Sequence, residues 1–201
     1  MKPPPRPYHH GHLRQALLRA AEIALEARGV QELSLRELSR ELGVSHASPQ
    51  RHFATRQDLI DALAIVGFER LSTVMAKAAE ARSLDFHARL TKAAFAYVGF
   101  AIKHPALFAL MFEAKRRPGM RPDLHAALVA AFSHVPKILK EGQEAGKIIA
   151  GDPIRLALTL GAALHGLVSF SIEGRVMGAP IKTVVPETVK HVLHGLSTKK
   201  A

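Results

Sequence analysis

Residues 45–53, Ser-His-Ala-Ser-Pro-Gln-Arg-His-Phe, put six hydrogen-bonding side chains into nine positions. Ser45, His46, Ser48, Gln50, Arg51 and His52 supply hydroxyl, imidazole, amide and guanidinium groups, and Phe53 is the main large apolar residue. Such a set suits phosphate oxygens and base edges: Arg forks onto guanine, Gln pairs with adenine, and hydroxyls serve either. A core helix of this length would carry more apolar anchors. Catalytic chemistry has no comparable set. The chain has no Cys, and no nucleophile–base pair, HExxH run or phosphate-cradling Gly loop stands out. An enzyme is therefore not expected, nor is a cofactor. The 12 His invite a metal reading, with His191 and His194 three apart and His9, His10 and His12 clustered. A bare His pair without a converging third ligand is a weak metal signal, so no metal site is expected.

The elements around residues 45–53 have to present them. Ser34 with Glu37 fits a capping box at a helix start. Leu35, Leu38 and Leu42 follow on one face at helical spacing. Gly43 can take the left-handed conformation that stops a helix. Ser45 is a good N-cap for a second helix over 45–53, and Thr55 with Asp58 fits another capping box. Helix–Gly–helix spacing alone also suits a hairpin inside any all-α domain. The polar side chains favour a helix-turn-helix whose second helix enters a DNA major groove.

The whole chain predicts an all-α fold of about nine helices. Residues 1–8 are Pro-rich and arm-like. A first helix spans about 13–28, stopped by Gly29, and a fourth spans about 56–81. Helices at about 85–103 and 105–113 precede a basic loop, Lys115 to Pro122. A helix over about 123–145 carries Pro136 as an expected kink. Asp152-Pro153 opens a helix to about 173, and a last helix covers about 186–196. No stretch shows strand-like alternation. The expected domains are residues 9–70 and residues 71–201.

Charge supports a nucleic-acid partner only in part. The formal net charge is +11. Residues 1–60 hold nine Lys and Arg against six Asp and Glu, so most of the excess lies further on. The longest apolar stretch, 156–172, includes His165 and two Gly and is shorter than the roughly 20 residues of a membrane span. With no signal-peptide core at the start, a soluble, cytoplasmic protein without a membrane partner is expected.

Gly43-Val44-Ser45-His46-Ala47-Ser48-Pro49, followed by Arg51-His52-Phe53, resembles the recognition-helix pattern of the tetracycline-repressor (TetR) family of bacterial transcriptional regulators. Tyr8 to Arg14 is similar to the lead-in to its first helix. The resemblance covers about residues 8–70. A C-terminal stretch, Leu164-His165-Gly166, resembles a subgroup with a Trp-His-Gly signature, with Leu in place of Trp. Position 50 departs from the pattern: Gln50 stands where Tyr is usual. The resemblance implies an N-terminal DNA reader and a C-terminal helical domain that binds a small molecule and dimerises. It implies a repressor released from a palindromic operator when a small, largely apolar effector binds. A helical small-molecule or lipid carrier without DNA binding is the alternative.

The DNA-contact candidates are Ser34, Arg36, Ser45, His46, Ala47, Ser48, Gln50, Arg51, His52 and Arg56, the last at a place where family members often put Lys on a phosphate. Phe95, Phe100, Phe108, Met111, Phe112, Phe132, His165 and Phe170 are candidates to line an effector pocket, with plain core as the competing role. Ala157 and Gly161, small residues four apart, with Leu164, His191 and His194, are the candidate homodimer interface.

Overall fold

The first helix, α1 (His10–Arg28), buries Leu13, Leu17, Ala21, Ala24 and Leu25 along one face and stops at Gly29. The computed structural model describes residues 10–172, 175–176 and 178–196. The arm-like stretch 1–8, His9 and the side chains of His10 and His12 lie outside the described residues. A 3-10 turn (Val30–Glu32) leads into α2 (Leu35–Glu41), α3 (Ala47–Gln50) and α4 (Arg56–Ala79). Then follow α5 (Phe86–Lys103), α6 (Pro105–Arg116), α7 (Pro122–Phe132), α8 (His134–Glu144), α9 (Pro153–Ser169) and α10 (Ile181–Gly195). Among the described residues no single helix is long and apolar enough to cross a membrane.

Several boundaries differ from those the sequence predicts, each for a local reason. The expected helix over 123–145 is two helices, broken at Ser133, whose hydroxyl donates to the Ala130 carbonyl at 3.0 Å. A continuous helix would set the Pro136 ring against the carbonyl four residues back. Restarting at His134 puts Pro136 in a first turn, where no amide is needed. The last helix starts at Ile181, with Pro186 inside it and not at its start. Val185 and Val189, both fully buried, anchor that helix across the proline. Residues expected to be helix and loop form three two-residue strands, β1 (Ser171–Ile172), β2 (Arg175–Val176) and β3 (Ala179–Pro180). They pair antiparallel in chain order, with Ser171 opposite Val176 and Val176 opposite Ala179. Asp152 caps α9 as expected, accepting from the Ile154 amide at 2.9 Å ahead of Pro153.

The helices sort into two compact units. The first comprises residues up to Gly67 together with Ala106–Leu124, so α6 packs with the N-terminal helices although the sequence places it in the second domain. Its core holds Leu17, Leu25, Leu33, Leu38, Phe53, Leu63, Leu107 and Met111. Gly67 lets the Met111 side chain lie against α4: a Cβ there would stand 2.5 Å from its sulfur and displace it. The second unit comprises Phe68–Pro105 and the chain from His125 onward. Its core holds Leu90, Val98, Ile138, Leu160, Val185 and Val189. Arg89 ties it together, pairing with Glu141 of α8 and donating to the Ala79 carbonyl at the end of α4.

Candidate nucleic-acid interface

The turn between α2 and α3 closes by two backbone bonds. The Gly43 amide reaches the Arg40 carbonyl at 3.2 Å and the Val44 amide reaches the Ser39 carbonyl at 3.0 Å. This pattern needs a left-handed residue at the cap, and Gly43 supplies it at φ 64°. The Ser39 hydroxyl is fully buried and bonds back to the Leu35 carbonyl at 2.7 Å. Two expected caps are not made. Ser34 is the N-cap of α2 by backbone position, but its side chain makes no capping bond. Ser45 does not cap α3 either; its hydroxyl pairs with that of Ser48 at 2.8 Å, and His46 takes the N-cap position.

The recognition helix is shorter than the 45–53 expected. Regular α3 ends at Gln50, and Arg51 and His52 lie in the turn that follows. Pro49 and Phe53, four apart, are buried, and the amides of His52 and Phe53 both reach the Pro49 carbonyl at 2.9 Å. Pro49 thus costs an amide donor only at a helix start, and its ring serves as an anchor. With Pro49 and Phe53 inward, Ser45, His46, Ala47, Gln50 and Arg51 are exposed, and Ser48 and His52 are half-buried. The Arg14 guanidinium lies 5.5 Å from the centre of the Phe53 ring.

The start of α4 realises the second capping box. The Thr55 amide donates to Asp58 at 2.9 Å, and the Asp58 amide donates to the Thr55 hydroxyl at 3.1 Å. The Thr55 hydroxyl and amide, with Arg121, hold the Asp58 carboxyl below its ordinary pKa. Arg56 has a part in the fold. Its Nε donates to the Leu33 carbonyl at 2.8 Å and its terminal nitrogen to the Val30 carbonyl. It ties the entry of α2 to α4 and stays exposed beside Arg36 and Gln50.

A groove of about 550 Å³ collects Ser34, Arg36, His46, Gln50 and Arg56, with Gln31 beside them. A second hollow, about 320 Å³, takes in Gln50, Arg51 and His52 next to Arg14 and Arg121. Gln50 lines both. Ser45, Ala47 and Ser48 line neither. Gln31, Arg14 and Arg121 are absent from the sequence-based set. The one available signal for Arg121 is its place in the basic loop 115–122, opposite two carboxylates one turn apart, Asp58 and Asp61.

The effector-pocket candidates are divided between the two units. Phe108, Met111 and Phe112 lie in the first unit, where Met111 is fully buried and the Phe108 and Phe112 rings are 4.7 Å apart. In the second unit Phe95 and Phe170 are exposed, and Phe100 is buried with its ring 5.3 Å from that of His104. Phe132 and His165 do come together, through a residue the sequence did not single out. Tyr97 shares a 2.9 Å hydrogen bond with His165 Nδ1, and its ring lies 6.3 Å from Phe132. Burial pushes the Tyr97 phenol well above its ordinary pKa, so it stays neutral. Of the dimer candidates, Leu164 is buried in its own unit and offers no surface to a partner. Ala157 and Gly161 are half-buried, and His191 and His194 are exposed. The face of α9 beside them carries Ile154 and Leu158, 69% and 71% exposed.

Comparison with known proteins agrees with this architecture. The family model for bacterial regulatory proteins, tetR family, matches residues 17–63. That for the tetracyclin repressor-like C-terminal domain matches residues 90–196. A comparison with curated proteins found no match. Among solved structures, a protein of unknown function from a Rhodococcus species is similar at TM-score 0.87 and 42% identity, over 96% of this chain and 100% of that one. The TetR family transcriptional regulator PfmR from Thermus thermophilus shares the fold at TM-score 0.70 and 19% identity, over 90% and 99% of the two chains. The ketosteroid transcriptional regulator KstR2 of Mycobacterium tuberculosis does so at TM-score 0.66 and 18% identity, over 93% and 96%. With a helix-turn-helix exposing Arg36, His46, Gln50 and Arg51, and family models matching in both halves, the chain belongs to the TetR family of DNA-binding transcriptional regulators.

Proposed function

We propose that the protein is a ligand-responsive repressor that grips a palindromic operator as a homodimer and lets go when a small, largely apolar effector binds residues 71–201. The observation that carries the reading is the shared groove of α2 and α3. Arg36, His46 and Gln50 there combine a guanidinium with imidazole and amide donors and acceptors on an exposed surface. Arg36 and Arg51 serve as phosphate or guanine contacts, and Gln50 reads a base edge or a phosphate. Ser34, Ser45, Ser48 and His52 supply further bonds at the rim, with Ala47 as an apolar contact. Two such heads on a two-fold dimer read half-sites one helical turn, roughly 34–36 Å, apart. The apolar face of α9, with Ile154, Leu158 and Gly161, together with His191 and His194 on α10, joins the protomers. The Tyr97–His165 pair, bonded together beside the Phe132 ring, is the polar group this reading places against the effector. Such a regulator works in the cytoplasm, without a cofactor and without catalysis.

The test is selection of duplexes from a random pool, followed by titration of the enriched duplex at several salt concentrations. The reading expects a near-palindromic site and affinity that falls steeply with salt as counterions are released. Binding with no enriched sequence, or independent of salt, would refute it. A carrier without DNA binding would leave the exposed donors of α3 with no task.

A further inference from the structure

The DNA-reading unit does not end where the helix-turn-helix and its following helix end. Residues 106–124 pack within it, and α6 is fixed to it at both ends. At its start, Glu26 of α1 accepts from the amides of Ala106 and Leu107 at 3.3 and 3.2 Å. These are helix-end amides with no partner inside their own helix, and a carboxylate there also complements the helix dipole. Beyond its end, Arg117 pairs with Asp61 of α4. Asp61 is 7% exposed, the one buried charged residue among those described. Its other partner is the neutral Gln57 amide at 2.9 Å. One turn earlier, Arg121 reaches Asp58 at 3.1 Å while also holding Asp123 at 2.8 Å.

The two arginine contacts converge on the first two turns of α4. That segment holds α2 through the bonds of Arg56 to the Leu33 and Val30 carbonyls. It also opens with the Thr55–Asp58 box, directly after the buried Phe53 that anchors α3. A buried carboxylate without its cation has to be rehydrated or protonated, and either shifts the helix that carries it. We propose that Arg117 is a positioning residue for DNA binding, which sets the start of α4 through Asp61 and thereby the α2–α3 groove, without touching DNA. The proposal rests on the DNA-binding reading above.

The test uses the full chain and a duplex that the wild-type protein selects from a random pool. Dissociation constants are measured at 25 °C over a range of salt, with thermal melting in parallel. Arg117→Ala is expected to bind about tenfold more weakly, equivalent to ~1.4 kcal/mol. Its salt slope should match the wild type, because no phosphate contact is lost. Arg117→Lys should recover most of the affinity. Asp61→Asn combined with Arg117→Ala should bind better than Arg117→Ala alone, since no orphan charge remains. Wild-type affinity with a lowered melting temperature would overturn the proposal and leave Arg117 a purely structural role. A salt slope shallower by about one per protomer would overturn it by making Arg117 a phosphate contact. If Arg117→Ala does not fold, Arg117→Gln replaces it, with the same loss supporting the proposal and wild-type affinity overturning it. A wild-type protein that selects no duplex would sink the DNA-binding reading itself and this proposal with it.

Discussion

Leu158 on α9 is the most direct handle on assembly. It is 71% exposed, one turn from Ile154 at 69%, and the proposed dimer covers both. Fully burying a Leu stabilises by about 1.5–3 kcal/mol, and seven-tenths of that gives ~1–2 kcal/mol per protomer. A two-fold interface doubles this to ~2–4 kcal/mol, because the same residue appears on both sides. Leu158→Asp removes that contribution and adds two carboxylates to be desolvated. The dimer dissociation constant should rise roughly thirty- to thousandfold. The fold should be spared, since changes at exposed positions usually stay within about 0.5 kcal/mol. Sedimentation equilibrium over a concentration series reads the first effect, and thermal melting of the monomer reads the second. Gly161→Trp is the companion change. A Cβ at Gly161 meets nothing within 4 Å in its own chain, so Gly161→Ala should leave the monomer's melting unchanged and serves as the control for the bulk that the ring adds against a second copy. Two variants that dimerise like the wild type would refute the assignment of this face and move the interface elsewhere.

Other outcomes follow from the same geometry. Arg51→Ala should weaken operator binding, and the loss separates two roles. A bidentate base contact costs about 1–3 kcal/mol and relaxes the preference at one base, whereas a phosphate contact lowers affinity evenly and makes the salt slope shallower by about one. Gln50→Tyr, at a position exposed to both hollows, should keep the melting temperature and change the selected sites. Identical sites and affinities would mean that position 50 does not face DNA. His134, bonded to the Ser72 hydroxyl at 3.1 Å, has its pKa lowered by burial and by Lys137, against the opposing charge of Glu80. The unfolded chain therefore takes up this proton first as pH falls below about 6.5. Stability from this group is present above that value and declines as pH drops through the depressed folded value. Melting between pH 7.5 and 5.5 should show the decline, and His134→Gln should flatten it; an unchanged slope would remove His134 as the cause.

What could be read from the sequence was local. Gly43 as the turn, the Thr55–Asp58 box, and Asp152-Pro153 at the head of α9 are devices complete within four residues, and the structure contains all three. Ser34 and Ser45 show where such reasoning stops. Both stand at cap positions by type, yet the Ser45 hydroxyl finds Ser48 and Ser34 makes no capping bond. Proline misled in two directions: Pro136 marks a full break, and Pro186 is tolerated inside a helix because Val185 and Val189 are buried around it. The role of Arg56 depended on carbonyls 23 and 26 residues away, and that of Arg117 on a carboxylate 56 residues away. No spacing rule reaches that far. The burial of Leu164 could not be read for the same reason: on a helix rich in apolar residues, composition does not say which side faces the chain's own core.

The distribution of arginine explains how a reader with a small charge excess can still select DNA. Several cations of the first unit are occupied internally. Arg28 pairs with Glu41, Arg56 with two carbonyls, Arg117 with Asp61, and Arg14 lies over Phe53. Arg36 and Arg51 are exposed and have no partner among the described residues. Phosphate attraction scales with the cations that reach the backbone, so counting every Arg overstates the sequence-independent part of the affinity. The proposed reading then gives a larger share to the imidazole and amide donors of His46 and Gln50, groups of the kind that discriminate bases. The internal arginines contribute indirectly, because the geometry of that set is only as exact as the frame they hold. Under the proposed reading, Gln50→Tyr is therefore the change that separates choice of site from strength of binding, since Gln50 lies exposed in both hollows without a charge of its own.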